Sequence, residues 1–280
     1  MLLGLLFSLA LGLADVSVTE DTSAPPPKYA SAGGIDPATV DVAAERELLA
    51  LTNRARARAE LPPLQLDPKL TAAARDHAAA MASHRQLSHQ FSGEPDLSRR
   101  LSTVSLHLDE AAENLAFADS PDRAHESLMH SPMHRENLLH PGYNIVGFGV
   151  VRRGAILYVV EDFGHNLPIY SAAEAADIVA HSVNAARRAV HLPALEHRDG
   201  SSFQADACSG TRGNLVRTSG GPPPQSRYIY RFTAMTPASL PSIADRAISD
   251  RGIQAFAVGA CYAHTDRYPD GVYSLMLVFY

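Results

Sequence analysis

The stretch that decides the fold runs from Asn144 to Phe163 and has the sequence NIVGFGVVRRGAILYVVEDF. Its two apolar runs are rich in residues that favour strands, and the Arg-Arg-Gly between them is a turn signal. We therefore predict a β-hairpin with strands over 144–151 and 155–163. The sequence thus indicates an antiparallel sheet in the first half of the chain.

Two helical patterns precede this hairpin. A helix is predicted to begin at 37–40, because apolar residues follow at alternating spacings of four and three between 44 and 55. Asp67 and Pro68 have the residue types of an N-cap and a first helical position, so a second helix is predicted from there through His84. Helices combined with an antiparallel hairpin indicate an α+β fold.

The pattern between the second helix and the hairpin is weaker. Residues 85–110 are mixed, and we expect them to be mostly irregular. The segment AAENLAF at 111–117 predicts a short ordered element of mixed polarity. Residues 121–130 and the short segment that begins at Ser131-Pro132 are predicted to be helical.

The composition excludes several classes of protein. The chain has 280 residues, 46% hydrophobic and 19% charged, which is typical of a globular chain with one large domain or two small ones. A net charge of −6 without a basic surface segment argues against nucleic acid as a partner. Two cysteines exclude a disulfide scaffold and a cysteine-rich zinc site. Most histidines lie between His77 and His165, which places the candidate chemistry in the first half.

The N-terminal segment indicates export. Residues 1–14, MLLGLLFSLALGLA, predict a signal peptide, with Gly12 and Ala14 at the positions that signal peptidase prefers. The apolar run is too short for a comfortable membrane span, so we expect no stable transmembrane anchor and a secreted, periplasmic or extracellular location. An uncleaved anchor and a wrongly chosen start codon are the alternatives. Residues 15–38 predict a flexible tether.

The second half repeats part of the first at a constant spacing. Asn53 and Arg56 align with Asn184 and Arg187, and the Leu-Pro pair that follows aligns as well. We therefore expect a degenerate copy over 172–280, which lacks the central His and Glu segments of the first copy. Chance similarity between segments rich in Ala and Arg is the alternative.

The two cysteines both lie in this second half. The fold expected there could bring Cys208 and Cys261 together, and a disulfide between them would be in keeping with an exported protein. Two buried free thiols are the alternative.

Three segments of the first half contain its candidate chemistry: LSH at 87–89, AENL at 112–115 and SPMHREN at 131–137. Taken in order with Asn53-Arg54 upstream and IVGFGV at 145–150 downstream, they resemble the bacterial branch of the CAP superfamily. That superfamily, also named SCP/TAPS, comprises cysteine-rich secretory proteins, antigen 5 and plant pathogenesis-related 1 proteins.

The resemblance implies an α/β/α sandwich around a small antiparallel sheet, over residues 39–166. It also implies a cleft lined by two His and one or two Glu, in which the His pair can hold a divalent metal, usually zinc. In this sequence the two His are His89 and His134, and the first Glu is Glu113. The usual Trp is replaced by Leu128, and the second Glu of eukaryotic members has no counterpart in phase.

The chemistry of these residues agrees with such a site. Ser131 and Pro132 place His134 in the first turn of a short helix, where the helix dipole disfavours the imidazolium and leaves a neutral ring for metal. Glu113 could orient an imidazole, act as a third ligand or activate a bound water. His77 is expected to be a packing or rim residue, with orientation toward the cleft as the alternative.

Three functions follow from these expectations. The first is a secreted protein that binds a small molecule, a lipid, a divalent metal or an extracellular protein in the His/Glu cleft, without catalysis. The second is a zinc-assisted hydrolase or peptidase in which Glu113 is the general base. The third is a structural protein of the cell envelope. Because the sequence shows ligands but no clear group to stabilise an oxyanion, we rank the first above the second.

Overall fold

The computed structural model describes residues 38–104, 106–211, 225–265 and 267–280. The predicted signal peptide (1–14) and all of the predicted tether (15–38) except Ala38 lie outside these residues. Among the helices in the described part of the chain, none is both long enough and apolar enough to cross a membrane.

Helices and strands alternate irregularly along the first half. Its elements are β1 (Thr39–Val40), α1 (Val42–Arg58), β2 (Gln65–Leu66), α2 (Pro68–His84), α3 (Leu97–Ser102), β3 (Leu108–Ala118), α4 (Pro121–His130), α5 (Pro132–Leu138), β4 (Ile145–Arg153) and β5 (Ile156–Asn166). The predicted hairpin is confirmed as β4 and β5, and the helices predicted over 121–130 and after Ser131 are confirmed as α4 and α5.

The second half has a comparable series of elements. They are α6 (Ala172–Ala189), β6 (Glu196–Arg198), a 3-10 turn (Ser201–Phe203), α7 (Gln204–Thr211), β7 (Tyr228–Ala234), a second 3-10 turn (Ser242–Ala244), α8 (Asp245–Ile248), β8 (Ala255–Ala263) and β9 (Val272–Phe279).

The first half is a three-layered sandwich. Its sheet has the order β1-β4-β5-β3, and β2 pairs in parallel with β4 while the other pairs are antiparallel. Apolar residues of α1, α4 and α5 pack on one face, and those of α2 and α3 pack on the other. Because each sheet face must be covered to bury its apolar side chains, this arrangement encloses two core layers. The predicted α+β class and α/β/α sandwich are confirmed.

Local signals set where the helices begin. The side chain of Asp67 accepts hydrogen bonds from the backbone N–H of Lys69 (2.8 Å) and Leu70 (3.0 Å), which confirms the predicted start of α2. The first helix begins later than predicted, at Val42, because β1 takes up the preceding residues and pairs with β4. The extended backbone there ends at Asp41, which caps α1.

Helix α2 lies unusually close to β4. Gly149 faces the helix, and a Cβ atom at this position would lie 2.2 Å from the backbone of Ala74. A side chain larger than hydrogen therefore cannot fit without moving α2 away from the sheet.

Strand β3 is longer than the short element predicted at 111–117. Leu108 pairs with Asn166 and Glu110 pairs with His165, so Asp109 is an extra residue and forms a β-bulge. Beyond the bulge the strand alternates regularly between the two faces. Glu113 therefore faces α2 and α3, whereas the next residue faces α1, α4 and α5.

The second half also packs helices on a sheet, which has the order β6-β8-β9-β7. Strand β6 runs parallel to β8, as β2 does to β4. The Asn184 side chain exchanges two hydrogen bonds with the backbone of Leu195 (3.2 and 2.8 Å), as Asn53 does with Leu64 (3.0 and 2.8 Å).

Two buried arginines make matching contacts in the two halves. Arg56 and Arg187 each donate to the carbonyl six residues ahead and to two carbonyls at the end of a short helix. The matching acceptors are Pro62, Leu138 and His140 for the first arginine and Pro193, Ile248 and Asp250 for the second, and Arg56 also donates to the carbonyl of Tyr143 (3.2 Å). Each guanidinium thus fixes a loop that has few backbone partners of its own.

A disulfide joins α7 to β8. Cys208 and Cys261 are bonded, with their Cα atoms 5.0 Å apart. This outcome excludes the alternative of two free thiols in the described structure.

Candidate functional site

The candidate site lies at strand β3, which forms one edge of the first sheet. Glu113 points toward α2 and α3, and its side chain is almost fully buried. Its cross-strand neighbour is Asp162 on β5. Two carboxyl groups therefore lie side by side on one face of the sheet.

Both oxygens of the Glu113 carboxylate are engaged. Oε1 lies 2.8 Å from Nδ1 of His89, and Oε2 forms a close ion pair with the guanidinium of Arg100 on α3. Arg100 also donates to the backbone carbonyl of His89 (3.0 Å). One arginine therefore positions both the carboxylate and the backbone of the histidine that it contacts.

The ring of His89 is the accessible part of this group. Its side chain is 38% exposed, whereas that of Glu113 is 1% exposed. Because Nδ1 faces the carboxylate, Nε2 is the nitrogen that is left to face a ligand.

His77 lies on α2 beneath the same carboxylate. Its Nδ1 is 2.6 Å from Oε1 of Glu94, its Nε2 is 2.9 Å from the carbonyl oxygen of Ser88, and Nε2 is 3.9 Å from Oε2 of Glu113. Each ring nitrogen thus lies within hydrogen-bond distance of an oxygen atom. His77 is thus a buried residue that supports the 88–89 backbone from below.

Glu94 is ionised in this network. Burial alone would raise its pKa, but the hydrogen bond from the backbone of Phe91 and the contact with His77, together with the charge of Arg100, lower it. Glu94 and Glu113 therefore both lie near the positive charge of Arg100, which compensates part of their charge in a confined space.

Asp162 is the exception in the cluster. It is fully buried, and neither of its oxygens receives a hydrogen bond from the described residues. Burial and the neighbouring charge of Glu113 raise its pKa well above the usual value, against the opposing effect of Arg100. The raised pKa favours the protonated form of Asp162 beside the Glu113 carboxylate.

A second polar network lies on the other face of the same strands. The amide of Asn114 donates to the carbonyl of His134 (3.1 Å) and to Oε2 of Glu161 (3.2 Å), and it accepts from Asn137 (2.9 Å). Burial raises the pKa of Glu161 to about 8, although its hydrogen bond with Asn114 lowers it in part. This network attaches α5 to the edge strand.

His134 is half-buried on α5, on the opposite face of β3 from Glu113. Ser131 occupies the N-cap position as predicted, but its side chain makes no capping hydrogen bond to the described backbone. The structure thus brings together His77, His89 and Glu113, and it attaches His134 through the residue next to Glu113. A single hollow lined by all of them stays a prediction.

The residues that sequence reasoning missed are Arg100, Glu94 and Asp162. The first two act across long sequence separations, for which no local pattern exists. Asp162 could have been found in the sequence, because two adjacent acidic residues directly follow the apolar run of the predicted strand. Since side chains alternate along a strand, one of them must face each layer. Within the described residues, no group of three or more His, Cys, Asp or Glu side chains is arranged to hold one metal ion.

In comparisons with known proteins, residues 49–163 match the model of the CAP family, which is described as the Cysteine-rich secretory protein family. Two relatives from Bacillus subtilis (strain 168), YkwD and the membrane protein YlbC, are each 30% identical, over 113 and 116 residues. The matched segments cover 40% and 41% of this chain. They cover 44% and 33% of the relatives, so the chain spans less than half the length of either.

Two solved structures illustrate the similarity in fold. An extracellular protein containing a SCP domain from Bacillus anthracis is 26% identical, with a TM-score of 0.41 over 44% of this chain and 40% of that chain. Na-ASP-1 is 10% identical, with a TM-score of 0.46 over 85% of this chain and 89% of that chain. The family match thus makes residues 49–163 similar to a CAP (SCP) domain.

Proposed function

We propose that this chain is an exported CAP-domain protein that binds a ligand at the His89–Glu113 pair and does not catalyse a reaction. The observation that supports this function is the engagement of both Glu113 oxygens beside a partly exposed imidazole. The disulfide between Cys208 and Cys261 supports an extracellular or periplasmic location, where such bonds persist.

A divalent metal ion is the ligand class that we propose, because the family resemblance implies it and the orientation of His89 is in keeping with it. Histidines that bind metal commonly direct their second ring nitrogen to a carboxylate, which fixes the tautomer and the ring orientation. Nδ1 of His89 has that contact with Glu113, and Nε2 is left for the ion. We propose His134 as the second protein ligand and Glu113 as the orienting carboxylate. Water or a donor atom of a bound molecule would complete the coordination, and lipid is the other ligand class that the family resemblance implies.

The hydrolase alternative is less well supported. A general base needs a free lone pair within reach of a water molecule. The Glu113 side chain is 1% exposed and its oxygens contact His89 and Arg100, so little of the carboxylate is accessible to a water molecule.

We also propose that residues 39–166 and 172–280 are two copies of one unit, the second degenerate and structural. Support comes from the matching contacts of Asn53 with Asn184 and of Arg56 with Arg187, and from the equivalent strand orders.

A zinc titration by calorimetry tests the proposed site. We expect the full chain to bind one Zn²⁺, and we expect Glu113→Gln to weaken binding by about 10- to 100-fold because the orienting carboxylate is lost. His89→Ala and His134→Ala should abolish it. His130→Ala is the matched control, since that exposed ring contacts its own helix.

Two results would contradict this proposal. One is the absence of zinc binding at millimolar concentration, and the other is unchanged affinity in His89→Ala. Peptidase activity that a chelator removes, and that Glu113→Gln also removes, would instead favour the hydrolase.

A further inference from the structure

His107 lies outside the candidate site, in the loop that leads into β3. Its backbone is fixed to the end of β5, because its N–H donates to the side chain of Asn166 (3.3 Å) and its carbonyl accepts from Leu167 (2.8 Å). The residue is 0% exposed. A histidine that is completely buried at this point must be covered by another part of the chain.

The cover comes from the second sheet. The ring centroid of His107 is 5.0 Å from that of Tyr262 on β8 and 5.9 Å from that of Tyr273 on β9, both at steep angles. Tyr273 is itself fixed, since its hydroxyl accepts from the backbone N–H of Tyr170 (2.6 Å). The imidazole therefore packs between two aromatic rings, at a junction where the first half of the chain meets the second.

Neither ring nitrogen of His107 has a hydrogen-bond partner among the described residues. Burial lowers its pKa, and the nearby carbonyl of Pro168 and charge of Asp109 oppose this effect without cancelling it. The titratable groups around the ring are Asp109 and its partner His165 from the first sheet, and Tyr262, His264, Asp270 and Tyr273 from the second. None of the carboxylates is hydrogen-bonded to the ring in the described structure.

We propose that the contact of His107 with Tyr262 and Tyr273 is an acid-sensitive joint, which opens when the imidazole takes up a proton. A buried cation is unfavourable unless it is well hydrogen-bonded, and neither ring nitrogen has a hydrogen bond within the described residues, so we expect the charged ring to move toward water. The neutral form is favoured in the closed state, so the contact is fully stable above the ordinary histidine pKa of about 6.5. Its stability falls as the pH drops from that value toward the lowered one.

Hydrogen exchange followed by mass spectrometry tests the joint in the full oxidised chain. We expect amides near Tyr273 on β9 to exchange faster at pH 5 than at pH 7.5, after correction for the intrinsic rate, by up to about tenfold per unit of pH. His107→Phe, which stays neutral, should remove the difference. His197→Phe is the matched control, because that exposed ring stacks on Phe256 and its loss should leave the acid response in place.

Equal acid-induced exchange in His107→Phe would overturn the proposal, as would unchanged protection of β9 in the wild type at pH 5. If the Phe variant does not fold, NMR of the wild-type ring decides the question. The His107 ring should take up its proton together with the loss of β9 protection. A ring that titrates while β9 stays protected would show that the joint does not respond to its charge.

Discussion

The two sheets share four strands in the same order, β2-β4-β5-β3 and β6-β8-β9-β7, whereas β1 has no counterpart in the described part of the second sheet, and the interiors differ. In the first, Glu113 pairs with Asp162 across neighbouring strands, and Asn114 pairs with Glu161. The two sheets can be aligned at Gly149 on β4 and Gly259 on β8, each of which pairs with the next strand of its hairpin. In this alignment, the corresponding pairs of the second sheet are Ile229 with Val278 and Tyr230 with Leu277.

This difference separates scaffold from site. The asparagine and arginine contacts near the first helix of each half match, so these contacts form whether or not buried acids are present in the sheet. The acidic pairs occur where His89 and His134 are presented and are replaced by apolar residues in the other half. Buried carboxyl groups destabilise a fold unless they are paired, so their presence in one sheet indicates a role beyond packing.

The largest effect is expected from the shared arginines. Arg56→Ala and Arg187→Ala should each lower the free energy of unfolding by about 3 kcal/mol or more, because several buried carbonyls lose their donor and a cavity remains. Urea denaturation of both variants measures this, with exposed Arg58→Ala and Arg188→Ala as neighbouring controls. If Arg187→Ala lowers the free energy of unfolding only slightly while Arg56→Ala lowers it strongly, the two arginines are not equivalent in the two halves.

An intermediate effect is expected from the disulfide, which has no counterpart in the first half. Reduction, or the double change of Cys208 and Cys261 to Ser, should cost about 2–4 kcal/mol, because the closed loop restricts the unfolded chain. Denaturation with and without reductant measures it, and the double Ser variant should not respond to reductant. If reduction of the wild type leaves the midpoint unchanged, the bond does not stabilise the second half.

Counted per unit of pH, the smallest change in stability is expected from Glu161, because its effect is spread over a range of pH. The pKa of this buried acid is raised to about 8, so the folded state keeps a proton that the unfolded chain loses near pH 4.5. Its contribution to stability is therefore present at low pH and falls between about pH 4.5 and 8, by at most about 1.4 kcal/mol per unit.

Glu161→Gln should flatten the stability profile in that range, whereas exposed Glu47→Gln should not. A profile that keeps its wild-type slope in Glu161→Gln would mean that another group titrates there.

Local signals predicted much of the fold. The start of α2 followed from Asp67 and Pro68, and the hairpin followed from two apolar runs around Arg-Arg-Gly, because both depend on neighbouring residues. The start of α1 was wrong, since the pairing of Thr39 and Val40 with β4 is a long-range contact. The full length of β3 was missed for the same reason.

The candidate site was predictable as a set of residue types and not as a geometry. The family resemblance singled out His89 and Glu113, whose contact has a hydrogen-bond distance. Arg100 could not be found this way, because its role depends on how a short helix packs beside the sheet. His134 lies on the opposite face of β3 from Glu113. Strand alternation would have predicted this only if the extent of β3 had been known.

The bulge at Asp109 determines which residues of β3 face which layer. Since side chains alternate along a strand, removing that one residue would exchange Glu113 and Asn114 between the faces if the register at Leu108 were kept. Alignments of related chains should therefore be inspected for single-residue gaps just before this strand. An aligned Glu with such a gap upstream need not be equivalent in space, and any transplant of the site into another scaffold must include the bulge.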